Sequence, residues 1–194
     1  MPMHKKYLGT TTRLTYDGFQ LAPHWIYRQH DFLGDAVVAF RGPCEVSLTE
    51  MVDIEDVKAQ APISSREMVH FIVEFFDLDL EKAVYRQRLL IVTAKEYLEE
   101  LLQQKVTRRG DDLFINRPQD GQPGKLSVSI ATSSPVSTLI HTGFNVISEG
   151  TPVTTVGLND LKIDPDAFAL AVLDRYTAEV ADIWEARCKV RPVM

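Results

Sequence analysis

The sequence predicts one α+β domain, residues 1–194, with helices packed on a mixed, largely antiparallel sheet. Three observations carry that expectation. In "KLSVSIAT", Leu126, Val128 and Ile130 alternate with Ser127, Ser129 and Ala131, the period-two pattern of a half-buried strand. After "SSP" the segment "VSTLIHTGFNVIS" returns, and adjacent strands joined by a short turn run antiparallel. Long segments with helical apolar spacing and capping residues lie on either side of this hairpin. Strands, two helices, a hairpin-rich sheet and a closing helix, in that order, define the class.

Taken in chain order, "GDAVVAFRG" reads as a strand ending at Gly42-Pro43, and "EMVDIED" as a second short strand. "SSREMVHFIVEFFD" predicts a helix opened by a Ser64/Glu67 capping box. Met68, Phe71, Ile72, Phe75 and Phe76 would form its apolar stripe. A second helix is expected from about Asp79 to Gln104, with Leu90, Ala94, Leu98 and Leu101 facing inwards. "DDLFIN" is a strand, and Arg117 to Gly124 a polar loop. The hairpin from Lys125 to Ile147 is expected at the centre of the domain, with Leu126, Val128 and Ile130 against a helix. The last helix opens at "DPD", with Asp164 as N-cap and Pro165 in the first helical position. Its buried stripe is Ala169, Val172, Leu173, Tyr176, Val180 and Ile183.

Charge and composition exclude several classes. The 194 residues carry a net charge of −6, which argues against non-specific nucleic-acid binding, since that needs a basic surface. Between Lys105 and Lys125, however, Lys105, Arg108, Arg109, Arg117 and Lys125 outnumber Asp111, Asp112 and Asp120. A small anionic molecule suits such a patch. No apolar run is long enough to span a bilayer, and "MPMHKKYLGTTTRL" lacks the apolar core of a secretory signal. Cys44 and Cys188 make neither a disulfide framework nor a metal spacing, so a cytoplasmic protein without a bound metal is expected. No Gly-rich strand-to-helix phosphate loop of Walker or Rossmann type occurs.

Four groups of residues are candidates for chemistry. Lys125 opens a strand after a polar loop, where its point charge would hold a phosphate or carboxylate; the alternative is a solvated strand end. "PHWIYRQH" gathers His24, Trp25, Tyr27 and Arg28. A helix after Pro23 would put His24 and Arg28 on one face, with Arg28 gripping an anion and Trp25 or Tyr27 stacking on a base. His70 and Glu74 would lie opposite the apolar stripe of their helix, as an acid–base pair, a metal pair or a surface pair. If Ile140 points into the core, His141 and Gly143 face the other way, and the glycine would let a ligand approach the sheet. Asp111 and Asp112 would hold Arg108, Arg109 or magnesium. Cys44 reads as a free structural cysteine.

"GDDLFIN", a short loop, "KLSVSI", a turn and "LIHTGFNV" resemble the core of the biotin and lipoate protein ligases and octanoyl transferases. There an Asp-Leu strand precedes a loop, a lysine opens the next strand, and the returning strand ends in Gly-x-Asn-Val. The matching positions are Asp112-Leu113, Lys125 and Gly143-Phe144-Asn145-Val146, within a stretch of roughly 80 to 160. Over its whole length the chain also resembles an uncharacterised family, domain of unknown function 366, through "HWIYR", "GD", "VAFRGPC", "HFIVE" and "KLSVSIAT". The resemblance implies the ligase fold and its class II synthetase-like core, with ATP and magnesium as cofactors. It makes Lys125 and Asp112 the catalytic pair. Two features depart from the pattern. The Arg- and Gly-rich loop of biotin ligases is reduced to "FRGPC", with Arg41 and Gly42. The place of the octanoyl-transferase cysteine is taken by Val156, which forms no thioester.

Two functions follow as expectations. One is a ligase or acyl or nucleotidyl transferase that activates a small carboxylate, with Lys125 stabilising the anion and Asp112 orienting Lys125 or magnesium. His24, Trp25, Tyr27, Arg28, Arg41, His141, Gly143 and Asn145 would bind substrate. The other is a non-catalytic module binding a small anion or nucleotide on the same fold.

Overall fold

The computed structural model of the protein describes residues 3–9, 14–60, 63–151 and 153–193. Its elements are β1 (His4–Tyr7), α1 (Trp25–His30), β2 (Ala36–Val46), α2 (Ile54–Ala59), β3 (Ile63–Phe75) and α3 (Leu80–Leu102). They continue with β4 (Thr107–Arg109), β5 (Asp112–Asn116), β6 (Pro123–Lys125), β7 (Ser127–Ser133), β8 (Thr138–Asn145) and α4 (Pro165–Cys188). Five strands form the main sheet in the order β1-β2-β3-β8-β7, and β4-β5-β6 form a smaller one. Among the named strands β1 and β2 pair in parallel and the other pairings are antiparallel, with isolated parallel bridges at Tyr16–Cys44 and Lys125–Thr155. The mixed, largely antiparallel α+β architecture is therefore present.

The main sheet has a core on each side, and β2 and β3 serve both. Val37 and Ala39 of β2, Val69, Phe71, Val73 and Phe75 of β3, and Ile140 and Phe144 of β8 face the two long helices. They pack with Leu90, Ile91, Ala94 and Leu98 of α3 and Phe168, Ala169, Val172, Leu173 and Tyr176 of α4. Ala36, Val38, Phe40, Met68 and Ile72 face the other way, onto Tyr16, Ile26, Cys44 and Val46. Helix α3 starts where Asp79 accepts from the Lys82 N–H, and α4 where Asp164 accepts from Ala167 with Pro165 next to it, the latter as its capping residues predict. Leu101 and Ile183, expected to face inwards, are about half exposed.

Several expectations are overturned. "SSREMVHFIVEFF" is the central strand, not a helix. Its odd positions fill one core and Met68 and Ile72 the other, so apolar residues on both faces imitate a helical stripe. The β-branched and aromatic content favours the pleated form. "EMVDIED" is no strand: Asp53 accepts from the Glu55 and Asp56 N–H groups and caps α2. The strand "GDAVVAFRG" does not stop at Gly42-Pro43 but passes them by a register shift between Gly42 and Cys44, the kind of bulge that tolerates proline. The β7–β8 hairpin is not central, since β7 forms the sheet edge. Its faces are also reversed. Ser127, Ser129 and Ala131 share the side of Phe144, Thr142 and Ile140, towards α3, while Val128 and Ile130 pair with Gly143 and His141 on the other side. Small residues let α3 lie close, and Gln87 of α3 donates to Ser129 Oγ at 3.0 Å. Only Leu126 joins the helix-side core.

Candidate functional site

Beside this second face, at the end of the sheet where β2 and β3 leave it, lies a cavity of about 370 Å³. Cys44, Met68, Val128, Ile130 and His141 come from the strands, and Tyr16, Leu21, Met51, Val52 and Ile63 add further apolar walls. The polar lining holds Ser64, Ser65, Ser129, Asn145 and Thr155, the carboxylates Glu50, Asp53, Asp56, Asp111 and Asp112, and Lys125.

Lys125 is fixed by its backbone before its side chain does anything. Its N–H donates to Thr154 O at 3.0 Å, and its carbonyl accepts from Val156 N at 3.1 Å and from Asn145 Nδ2 at 3.2 Å. Asn145 is itself held by the Ser65 hydroxyl at 3.3 Å. Gly124 allows this crowding, since a Cβ there would stand 2.8 Å from backbone atoms of Thr155 and Val156. Lys125 pairs with Phe114 across β5–β6, which brings its ammonium to Asp112 Oδ2 at 2.9 Å, with both side chains about a quarter exposed. The ligase-like order Asp112, Lys125, Asn145 thus converges in space: Asn145 clamps the backbone that carries the lysine, and Asp112 holds its head.

The neighbouring carboxylates are mostly engaged. Asp53 caps α2. Asp111 binds Arg88 and Gln87 of α3, each at 3.0 Å, rather than Arg108 or Arg109. Burial, with Asp112 adding to it against Arg88, raises the Asp111 pKa; burial and Asp53 raise that of Asp56. The basic patch read from the sequence does not converge on the cavity. Arg117 pairs with Asp120, Arg108 bonds the Gly110 carbonyl, and Arg109 lies over Phe114. Among the described lining residues Lys125 is the only lysine or arginine.

His70 and His141 form a buried pair, Nδ1 to Nε2 at 3.0 Å, and His70 Nε2 lies 3.2 Å from Gly42 O. Tyr16 stacks on the His141 ring with centroids 3.6 Å apart. Burial lowers the His70 pKa to about 4, and burial plus the His70 neighbour lowers that of His141. Cys44 is buried in β2, not in a turn, and burial pushes its thiol up to about 12, as suits a structural cysteine.

Depressed histidine values have a sign. The unfolded chain takes up protons below about pH 6.5 and the folded one does not, so stability is full above that pH and is lost as pH falls towards 4. Each histidine is expected to cost up to about 1.4 kcal/mol per pH unit in that window. Urea midpoints measured from pH 7 to 5 check this, and His70→Leu should flatten the dependence.

Other predicted site residues lie elsewhere. His70 and Glu74 do not meet: as strand residues four apart they are separated by about 13 Å. Glu74 is buried and accepts from the His24 N–H at 2.8 Å and the Ser137 hydroxyl at 2.7 Å. That contact is at the far end of the sheet, so none of His24, Trp25, Tyr27 or Arg28 lines the cavity. His24 is the left-handed N-cap of α1, not part of its face. Arg41 points to the helix side, paired with Glu67 at 2.6 Å and Asp166 at 3.0 Å. Over Gly143 the space belongs to Met68, whose Cε would be 2.8 Å from a Cβ, so the glycine admits a side chain rather than a ligand. Tyr16, Ser129 and Asp56 line the cavity without any signal in the sequence.

The Domain of unknown function (DUF366) matches residues 5–191. The chain belongs to this family. It is 38% identical over 189 residues to the uncharacterised protein MJ0805 of Methanocaldococcus jannaschii, covering 94% of this chain and 82% of that one. A protein of unknown function from Pyrococcus horikoshi has the same fold with a TM-score of 0.90 and 39% identity, over 99% of this chain and 100% of that one. Ta0514 of T. acidophilum, provisionally named a lipoate protein ligase, aligns with a TM-score of 0.62 and 12% identity, over 93% and 86% of the two chains. Biotin protein ligase from Aquifex aeolicus, in complex with biotin and ATP, aligns at 0.57 and 14%, over 93% and 72%. The DUF366 chain therefore has the biotin/lipoate ligase-like fold. No described helix is long and apolar enough to cross a membrane.

Proposed function

We propose that this DUF366 protein binds a small carboxylate beside Lys125 and activates or transfers it with a nucleotide. The observation that carries the reading is the Lys125 head, 2.9 Å from Asp112, on a backbone tied by three hydrogen bonds beside a cavity with apolar walls. Such a pocket takes the apolar body of an acid and leaves its carboxylate for the fixed cation. In the step itself the carboxylate oxygen attacks the nucleotide's α-phosphorus, the bond to pyrophosphate breaks, and pyrophosphate leaves. A cation already in place stabilises the added negative charge without reorganising, and Asp112 keeps the ammonium aimed. The likeness to a ligase that holds biotin and ATP supports the reaction class at the level of fold.

Among the described residues no three His, Cys, Asp or Glu side chains are grouped to hold an ion, and Asp53, Asp111 and Asp112 are already bonded. Magnesium would come with the nucleotide, whose phosphates supply ligands of their own.

One observation favours a binding module instead. Arg41, the remnant of the ligase adenylate loop, is locked to Glu67 and Asp166 on the opposite face. Incubation with ATP and a panel of carboxylic acids separates the two. Pyrophosphate release that depends on one acid supports the enzyme; saturable binding without release supports the module.

A further inference from the structure

The histidine pair that reaches the cavity wall through His141 has a definite proton arrangement. Gly42 O can only accept, so the neutral His70 ring, with Nε2 at 3.2 Å from that carbonyl, carries its hydrogen on Nε2. Its Nδ1 is then bare and must receive a hydrogen from His141 Nε2, 3.0 Å away. His141, also neutral, is left with a bare Nδ1. Desolvation in the protein interior keeps both rings uncharged. No described residue hydrogen-bonds His141 Nδ1, yet the atom is not sealed in: the buried side-chain polar atom without a partner is His30 Nε2. His141 is 4% exposed, it lines the cavity, and Tyr16 covers a face of the ring, not its edge.

We infer that His141 Nδ1 is a hydrogen-bond acceptor for the cavity's ligand, which therefore carries an N–H or O–H group among its apolar atoms. A lone pair repels an anion, so this nitrogen faces a neutral donor group of the ligand rather than its negative charge. A purely hydrocarbon ligand would displace whatever water bonds this nitrogen and leave it unpaired, which is costly. Sites built around one hydrogen bond reject analogues lacking the donor more strongly than analogues differing by a methylene. The ligand class is a heterocyclic N–H or hydroxyl compound of modest size. The assignment concerns the apolar wall and is independent of what Lys125 binds.

Uncharged probes keep the two ideas apart. Indole with 1-methylindole, and phenol with anisole, are pairs that differ by a methyl in place of the donor hydrogen. The donor member of each pair is expected to bind about five- to tenfold tighter, the scale of one neutral hydrogen bond. In His141→Phe that preference should vanish while 1-methylindole still binds. Long-range ¹H–¹⁵N spectra of the unmodified protein give a second readout that does not need the variant to fold. They should show His141 protonated on Nε2, with a free Nδ1 whose resonance moves when indole is added. An Nδ1–H tautomer overturns the assignment. So do equal affinities within both pairs, a preference that survives in His141→Phe, or failure of both indole and phenol to bind.

Discussion

Phe71→Ala is expected to lower the unfolding free energy by about 3–5 kcal/mol, the cost of emptying a large core site. Phe71 is fully buried on the central strand, edge-on to Phe144 with centroids 5.8 Å apart, in the core between the sheet and the two long helices. Phe76 provides the contrast. It follows the strand and is 39% exposed, so Phe76→Ala should cost only about 1 kcal/mol. A helix with the stripe Met68, Phe71, Ile72, Phe75 and Phe76 would bury both phenylalanines and make both changes severe. Chemical denaturation of the two variants measures the difference; comparable losses would contradict the strand.

That segment shows where local reading of this chain stops. Helices α3 and α4 are legible because their outer faces are wet, so one apolar stripe stands out, and Asp164 and Pro165 announce the start of α4. β3 has no wet face along most of its length. His70 and Glu74 break its apolar run, but each is buried with a hydrogen-bond partner from another part of the chain, His141 and Ser137. Only the tertiary fold supplies those partners, and without them the two residues read as the polar side of a helix. The hairpin fails differently. Its alternation is real, but Ser127, Ser129 and Ala131 face the helix because α3 approaches closely, a fact of packing that polarity does not encode.

The site is legible to the extent that neighbouring strands assemble it. Asp112, Lys125 and Asn145 belong to β5, β6 and β8, and strand pairing brings them together. His24 and Arg28 have the spacing of one helical face, yet His24 only caps α1 in a left-handed conformation, and the helix packs at the opposite end of the sheet. Spacing within a segment says nothing about which end of the sheet it covers. The basic cluster between Lys105 and Lys125 dissolves for a related reason: Arg117 finds its own Asp120 three residues away, and short-range pairing removes charges that a window count adds together.

Lys125→Ala separates stability from binding at the site. In the free protein the lysine's ion pair with Asp112 is partly exposed, and such pairs contribute about 0–1 kcal/mol. The backbone bonds to Thr154, Val156 and Asn145 survive the change, so melting should move little. Binding of a nucleotide or carboxylic acid is expected to weaken by about 1.5–3 kcal/mol, the scale of a hydrogen bond between charged groups. Lys125→Arg should recover only part of this, because a planar fork does not replace a compact ammonium held at one carboxylate. Asp112→Asn gives the complementary case: it keeps the anchor's shape but removes the charge that aims the ammonium, so it should impair turnover more than affinity. Titration calorimetry of wild type and the three variants against the same ATP and acid panel measures these differences. Equal affinity of wild type and Lys125→Ala for every compound would leave the lysine as a strand-end ion pair, and the carboxylate-activation reading would fall with it.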